Sequence, residues 1–166
     1  MRLILFRHGP AEAREGYRGH PDADRPLSPE GARRTRRALQ GLGQLVPELS
    51  TIGTSPYRRA VETAEIASAR FGIQHETTEA LRPGAGPREL SDWLAVFPLD
   101  STIMAVGHEP DLGELASWFL SGRSSSFAPV KKAGAIALDF SSRSGPSTAS
   151  LAFAISGGQL RCMGTK

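Results

Sequence analysis

Three short stretches concentrate the side chains that could do chemistry: Arg7-His8-Gly9, Thr54-Ser55-Pro56-Tyr57-Arg58-Arg59 and Gly107-His108-Glu109-Pro110. Arginines and histidines grouped in this way point to an anion. A guanidinium presents a planar fork of donors and can grip two oxygens of a phosphate at once, which a lysine ammonium cannot do. Two or three such forks beside two imidazoles would suit a dianionic phosphate. Taken singly, an arginine is usually a surface residue and a histidine often just a hydrogen-bonded one. Convergence of all three stretches is what would make a site.

The elements that carry these residues provide that convergence. Leu3 to Phe6 form an apolar run that reads as a strand buried on both faces, with Arg7 and His8 where it emerges. "STIGTS" (50–55) reads as a second strand, passing into a helix opened by Pro56, with Arg58 and Arg59 in its first turn and Gly72 at its close. "STIMAVGH" (101–108) is the most apolar strand and leads into the helix "PDLGELASWFLSG". In a parallel sheet all three carboxyl ends lie on one edge, the edge where open α/β sheets bind ligands. The helix N-termini there also favour anions.

The remaining pattern completes an α/β fold. A polar loop spans residues 9–26, and "LSPEGARRTRRALQGLGQLV" follows with Ser28 as N-cap, Pro29 at the first helical position and Glu30 in the first turn. Ala32, Leu39, Leu42 and Leu45 or Val46 would be its buried stripe. A strand is expected at about 73–78, and a helix at about 87–97 with Leu90, Trp93, Leu94 and Phe97 inward. "AGAIALDF" and "TASLAFAIS" alternate around the turn-rich "SSRSGPS" and read as an antiparallel hairpin. The expectation is a three-layer sandwich with a mostly parallel sheet and an antiparallel C-terminal edge. With 166 residues and no repeat or linker, residues 1–166 read as one domain.

Composition excludes several function classes. A formal net charge of +3 is too small a bias to mark a nucleic-acid binder. Arg33, Arg34, Arg36 and Arg37 spread around a helix surface without interleaved aromatics, which reads as a solvated face. Cys162 is the one cysteine, so no intrachain disulfide can form, and it lies too near the end for a cysteine phosphatase, which needs an arginine downstream. Arg7 and His8 interrupt the N-terminal apolar run too early for a signal peptide, and no apolar stretch reaches bilayer length, so a cytoplasmic location is expected.

Other motifs fail on context. "GLGQLV" (41–46) lies late in a helix rather than after a strand, and no P-loop occurs. Asp22-Ala23-Asp24 has the spacing of a paired-aspartate nucleophile but no strand before it, so it reads as a solvated turn. His8, His20, His75 and His108 show no metal-ligand spacing.

"LILFRHG", "RPLSPEG" (25–31), "SPYRRAVETAE" (55–65) and "AVGHEPDL" (105–112) together resemble the histidine phosphatase superfamily, the group of phosphoglycerate mutases and acid phosphatases. The short chain, the "RPLSPEG" segment and the lack of a cap insertion look most like the SixA-type phosphohistidine phosphatases. The match runs in order from residue 2 to about 120. It implies a three-layer α/β/α sandwich, no cap domain, no cofactor and no metal. It also implies His8 as a nucleophile that becomes transiently phosphorylated, Arg7 as a phosphate ligand and His108 as a second donor to the phosphate. The family's arginine stands directly before the alanine, so the resemblance selects Arg59 rather than Arg58. For a general acid, Glu79 in "TTEALRPG" is the nearest candidate, while the position directly before the leucine, where SixA-like relatives carry theirs, is Ala80.

These roles agree with elementary chemistry. A neutral imidazole can attack phosphorus in line to give a phosphoenzyme that water cleaves, with surrounding cations holding the equatorial oxygens. The expected activity is a metal-independent phosphatase whose substrate is phosphohistidine on a protein, because the absence of a cap leaves the site open to a bulky protein ligand. The missing acid matters less when the leaving group is an imidazole, which departs readily once protonated. A phosphomonoesterase or mutase-like enzyme acting on small esters is the alternative, since "GYRGHPD" (16–22) resembles the mutase-like loop. A non-catalytic phosphoprotein- or nucleotide-binding module is a further one. The complete set Arg7, His8, Arg59 and His108 argues against it.

Overall fold

In the computed structural model, which describes residues 1–164, β1 (Arg2–Arg7) divides the core in two. Ile4 and Phe6 point to one face of the sheet and Leu3 and Leu5 to the other, all of them closed to solvent. Each such side chain contributes on the order of 1.5–3 kcal/mol through burial. α1 (Pro29–Leu45), α2 (Arg58–Phe71) and α5 (Gly157–Met163) cover the first face, and α3 (Pro87–Leu94) and α4 (Asp111–Ser121) the second.

β2 (Thr51–Thr54), β3 (His75–Thr77), β4 (Thr102–Gly107), β5 (Ala135–Phe140) and β6 (Ala149–Ile155) complete one sheet in the order β3-β2-β4-β1-β5-β6. β3, β2, β4 and β1 are mutually parallel, whereas β5 runs antiparallel to both β1 and β6. The three-layer α/β/α sandwich with an antiparallel C-terminal edge is therefore the observed architecture. Register places Arg7 beside Gly107 and Thr54 beside Val106, so the three chemistry-bearing strand ends are level with one another.

Local expectations hold in part. Ser28 Oγ accepts the Gly31 N–H at 3.0 Å, capping α1 behind Pro29. Val46, not Leu45, completes the buried stripe, and Ala32 is only half-buried. Arg33 and Arg34 are exposed and share Glu30 as ion-pair partner, as a solvated face would have them. α2 starts at Arg58, leaving Pro56 and Tyr57 ahead of it. β3 shrinks to three residues because it is an edge strand paired only to β2. Leu90 and Leu94 are buried, but α3 ends at Leu94, and Trp93 and Phe97 are half-buried partners in a ring contact 5.0 Å across.

α5 is the element that strand alternation conceals. Ser156, the expected end of the hairpin, instead opens a helix through a capping box with Gln159. That Ser-x-x-Gln spacing was its one sequence signal. α5 packs on α1 at Gly41, where a Cβ would strike the Leu160 carbonyl oxygen, so the close approach requires glycine. Among the described residues no helix is long and apolar enough to cross a membrane.

Candidate active site

The crevice begins where β1 ends. The His8 N–H continues the strand pairing to Gly107 O at 3.1 Å, which fixes the residue beside the end of β4. Its ring is buried, with Nδ1 2.6 Å from the Gly9 carbonyl oxygen. A carbonyl only accepts, so Nδ1 carries a proton. On the other side of the ring Arg59 Nε–H donates to Nε2 at 3.3 Å, so that nitrogen presents its lone pair. His8 is thereby held as the neutral Nδ1–H tautomer. Burial drives its pKa down to about 3, and Arg59, Arg7 and Lys132 further oppose protonation against the help of the Gly9 carbonyl.

Gly9 is required for that arrangement. A Cβ at this position would collide with Thr35 Oγ1. The Gly9 N–H donates to Thr63 Oγ1 at 3.1 Å, and that hydroxyl donates to Arg59 O at 2.7 Å, which ties the turn after β1 to the first turns of α2.

Arg59 is buried, and its other nitrogens are committed to one residue. Nη1 donates to Asp22 O at 2.8 Å and Nη2 pairs with Asp22 Oδ2 at 3.0 Å, while the guanidinium lies 5.0 Å from the Tyr57 ring centre. Arg58 points the other way, with its side chain 55% exposed and paired to Glu62 at 2.8 Å. Asp22 is the partner that the sequence reading set aside as a solvated turn; the structure corrects this. Its second oxygen pairs with Arg25 at 3.0 Å and with Arg14 at 3.5 Å, so one carboxylate bridges three arginines. Partial burial works against its ionisation, but Arg59, Arg25 and Arg14 outweigh this and hold its pKa below the usual carboxylate range. The available signal was topological: the loop after β1 must cross the edge where the arginines gather, and its acids are the nearest counter-ions.

His108 closes the crevice from β4. Its ring lies 5.0 Å from that of His8, centre to centre, and edge-on to Tyr57. The Ser55 hydroxyl accepts the Tyr57 N–H at 3.3 Å, leaving its own proton for His108 Nε2 at 2.8 Å. A neutral His108 then carries its proton on Nδ1, which is buried without a protein partner among the described residues. Burial, then His8 and Arg59, push the pKa of His108 down to about 2. Arg7 reaches Val130 O through Nη1 at 3.0 Å, and its Nε is likewise buried and unpartnered. Glu109 steadies that loop by accepting the Val130 N–H at 2.7 Å. An unmet buried donor costs about 1–3 kcal/mol, so Arg7 Nε and His108 Nδ1 are each left short of a partner that their burial calls for.

Arg7, His8, Arg59 and His108 thus lie around the ends of β1 and β4 and the start of α2. Glu79 does not join them. It sits in a turn of 3-10 helix after β3, its side chain 76% exposed and 3.7 Å from Arg82. What the cluster can do chemically is bind a tetrahedral oxyanion against an unprotonated imidazole nitrogen.

Comparison with known proteins agrees with this geometry. An uncharacterized protein of Picosynechococcus is 39% identical over 141 residues, covering 83% of this chain and 84% of its own. The solved structure of the protein histidine phosphatase SixA complexed with tungstate shares the fold at a TM-score of 0.80 and 19% identity, covering 96% of this chain and 99% of that one. The native mycobacterial glucosyl-3-phosphoglycerate phosphatase does so at 0.72 and 19%, covering 93% and 98%. The family model of the histidine phosphatase superfamily (branch 1) matches residues 3–85, the stretch that contains Arg7, His8, Asp22 and Arg59, and this chain belongs to that superfamily.

Proposed function

We propose that this protein is a phosphatase that works through a phosphorylated His8, without a metal in the phosphoryl-transfer step, and that its substrate is phosphohistidine on a protein. The observation that carries the reading is the His8 tautomer, a neutral imidazole with Nδ1–H anchored on Gly9 O and a lone pair on Nε2. Nε2 attacks phosphorus as the bond to the leaving group breaks. Water then attacks the phosphorus of phospho-His8, releasing inorganic phosphate and restoring the imidazole. The Gly9 carbonyl accepts from Nδ1 throughout and so favours the ring when it gains positive character. Arg7, Arg59 and His108 hold the equatorial oxygens, and their fixed charges and dipoles do most of the catalysis.

Two carboxylate positions support an imidazole as leaving group. Glu79 is turned to solvent beside Arg82, and Asp22 is kept ionised by its arginines, so neither is set up to protonate an alkoxide. A histidine nitrogen protonated in solution leaves without that help. The fold shared with SixA, a protein histidine phosphatase, agrees.

The test is side-by-side turnover of a histidine-phosphorylated protein and a panel of phosphate esters, with acid- and base-quenched trapping of the phosphoenzyme. A phosphoenzyme stable in base, labile in acid and absent from folded His8→Ala is expected. Near-wild-type turnover by folded His8→Ala overturns the covalent mechanism.

A further inference from the structure

The turn Lys131–Gly134 lies against the end of β1 on its β5 side, and its backbone is tied to the two residues that open the crevice. The Ala133 N–H donates to Arg7 O at 3.1 Å and to His8 O at 3.3 Å, the Arg7 N–H donates to Gly134 O at 3.1 Å, and the Gly134 N–H closes the turn on Lys131 O at 2.8 Å. Ala133 is fully buried at φ 54°, in the left-handed region that a residue with a Cβ rarely adopts. Strain of this kind persists only where the surroundings enforce it, and it gathers at functional sites.

This turn presents Lys132 at the rim. Its side chain has no hydrogen bond or ion pair among the described residues, yet it lies close enough to interact electrostatically with His8, Arg7, Arg25 and Arg59. Partial burial and then the three arginines lower its pKa. Arg25 and Arg59 share Asp22 as counter-ion, whereas Lys132 has none among the described residues. An unpaired ammonium held among guanidiniums is unfavourable until an anion arrives.

We propose that Lys132 is a further substrate-binding residue, whose ammonium meets an oxygen of the phosphoryl group from the β5 side of the crevice. This rests on the phosphatase reading above. Lysine suits the position because a long stem and a compact charge can follow an oxygen that moves during transfer, while the arginines fix the others.

Inorganic phosphate is the probe. Its dissociation constant, measured by calorimetry, is expected to rise about tenfold or more in Lys132→Ala and in Lys132→Gln, the scale of one hydrogen bond to a charged group. Lys132→Arg should recover most of the affinity, and Lys131→Ala, one residue away, should leave it unchanged. These variants should melt no lower than the wild type, since the Lys132 side chain has no hydrogen bond or ion pair among the described residues for its removal to break. For p-nitrophenyl phosphate, KM should rise in parallel with the phosphate dissociation constant. Wild-type protein that binds phosphate and turns over the ester, with Lys132→Ala unchanged in both, overturns this assignment alone. Wild-type protein that does neither overturns the phosphatase reading and this assignment with it.

Discussion

Arg59 Nε–H donates to His8 Nε2 at 3.3 Å, so the buried guanidinium rests on the lone pair proposed to attack phosphorus. The contact is long for a nitrogen–nitrogen hydrogen bond and correspondingly weak. It excludes a proton from Nε2 while surrendering the lone pair easily. A phosphate oxygen is a stronger acceptor than an imidazole and can take the Nε–H as it binds, so binding the anion and freeing the nucleophile become one event.

Arg59→Ala is therefore expected to lose at least about two orders of magnitude in kcat/KM, the scale for removing a donor to a developing oxyanion. Arg58→Ala, which removes only an exposed pair with Glu62, should change little. Steady-state kinetics on p-nitrophenyl phosphate decides. Reversed effects would mean that Arg58 reaches the phosphate instead.

Asp22 orients Arg59 through its backbone oxygen and its carboxylate together. Asp22→Ala should lower kcat by about one to two orders of magnitude, as expected when a reacting group is displaced by an ångström. Asp22→Asn keeps an acceptor for Nη2 and should lose less. The same loss of charge should tighten phosphate binding in both variants, so KM and kcat fall together. A variant whose KM rises while kcat holds would show that Asp22 contacts substrate rather than positioning Arg59.

Strand ends were the legible part of this sequence. Apolar runs broken abruptly by Arg7-His8, Ser55 and His108 locate the candidate site because a buried strand can expose polar groups only where it emerges. The choice of Arg59 over Arg58 came from likeness to a family; helical periodicity alone left both in the first turn. Asp22 was not legible. Its partner lies 37 positions away, and only the path of the 9–26 loop over the sheet edge brings the two together. α5 was hidden for another reason, since a seven-residue helix with two leading glycines has almost no propensity of its own and forms because Leu160 packs under α1. Lys132 was equally opaque, because nothing in "VKKAGA" reveals the left-handed Ala133.

The turn after β1 can be tested directly. Gly9→Ala drives a methyl group into Thr35 Oγ1 and should destabilise the protein by about 1–3 kcal/mol, the usual cost of overpacking. Pairing it with Thr35→Ala, which removes the colliding oxygen, should restore part of that stability. Urea denaturation reads both. An unperturbed midpoint in Gly9→Ala would mean that the turn is not held as tightly as its contacts with Thr35 and Thr63 indicate.

The two imidazoles make stability depend on pH with a definite sign. In the unfolded chain they protonate near the ordinary value of 6.5, whereas folding pushes His8 to about 3 and His108 to about 2. Between those limits the unfolded chain binds more protons, so these residues make stability fall as pH drops from about 7 towards 3. Above pH 7 neither contributes a slope. Urea midpoints at pH 7 and pH 4 should therefore fall less in His8→Gln/His108→Gln than in the wild type. Equal declines would mean that neither imidazole is held neutral by the fold.

The leaving group can be tested through Glu79. Its side chain is 76% exposed and 3.7 Å from Arg82, so nothing holds it over the crevice. Departure needs help in proportion to the basicity of what departs. A protonated imidazole and a p-nitrophenolate need little, so Glu79→Gln should change kcat/KM for phosphohistidine and for p-nitrophenyl phosphate by less than about threefold, far below the hundredfold or more of a committed general acid. Simple alkyl phosphates should be poor substrates even for the wild type, since their alkoxide must be protonated as it leaves. The small-ester alternative expects the reverse: good alkyl-phosphate turnover that collapses in Glu79→Gln, with the basic limb of the pH–rate profile moving as well. That result would require Glu79 to leave Arg82 and swing over the bound ester. It would overturn the phosphohistidine assignment while leaving His8 as the nucleophile.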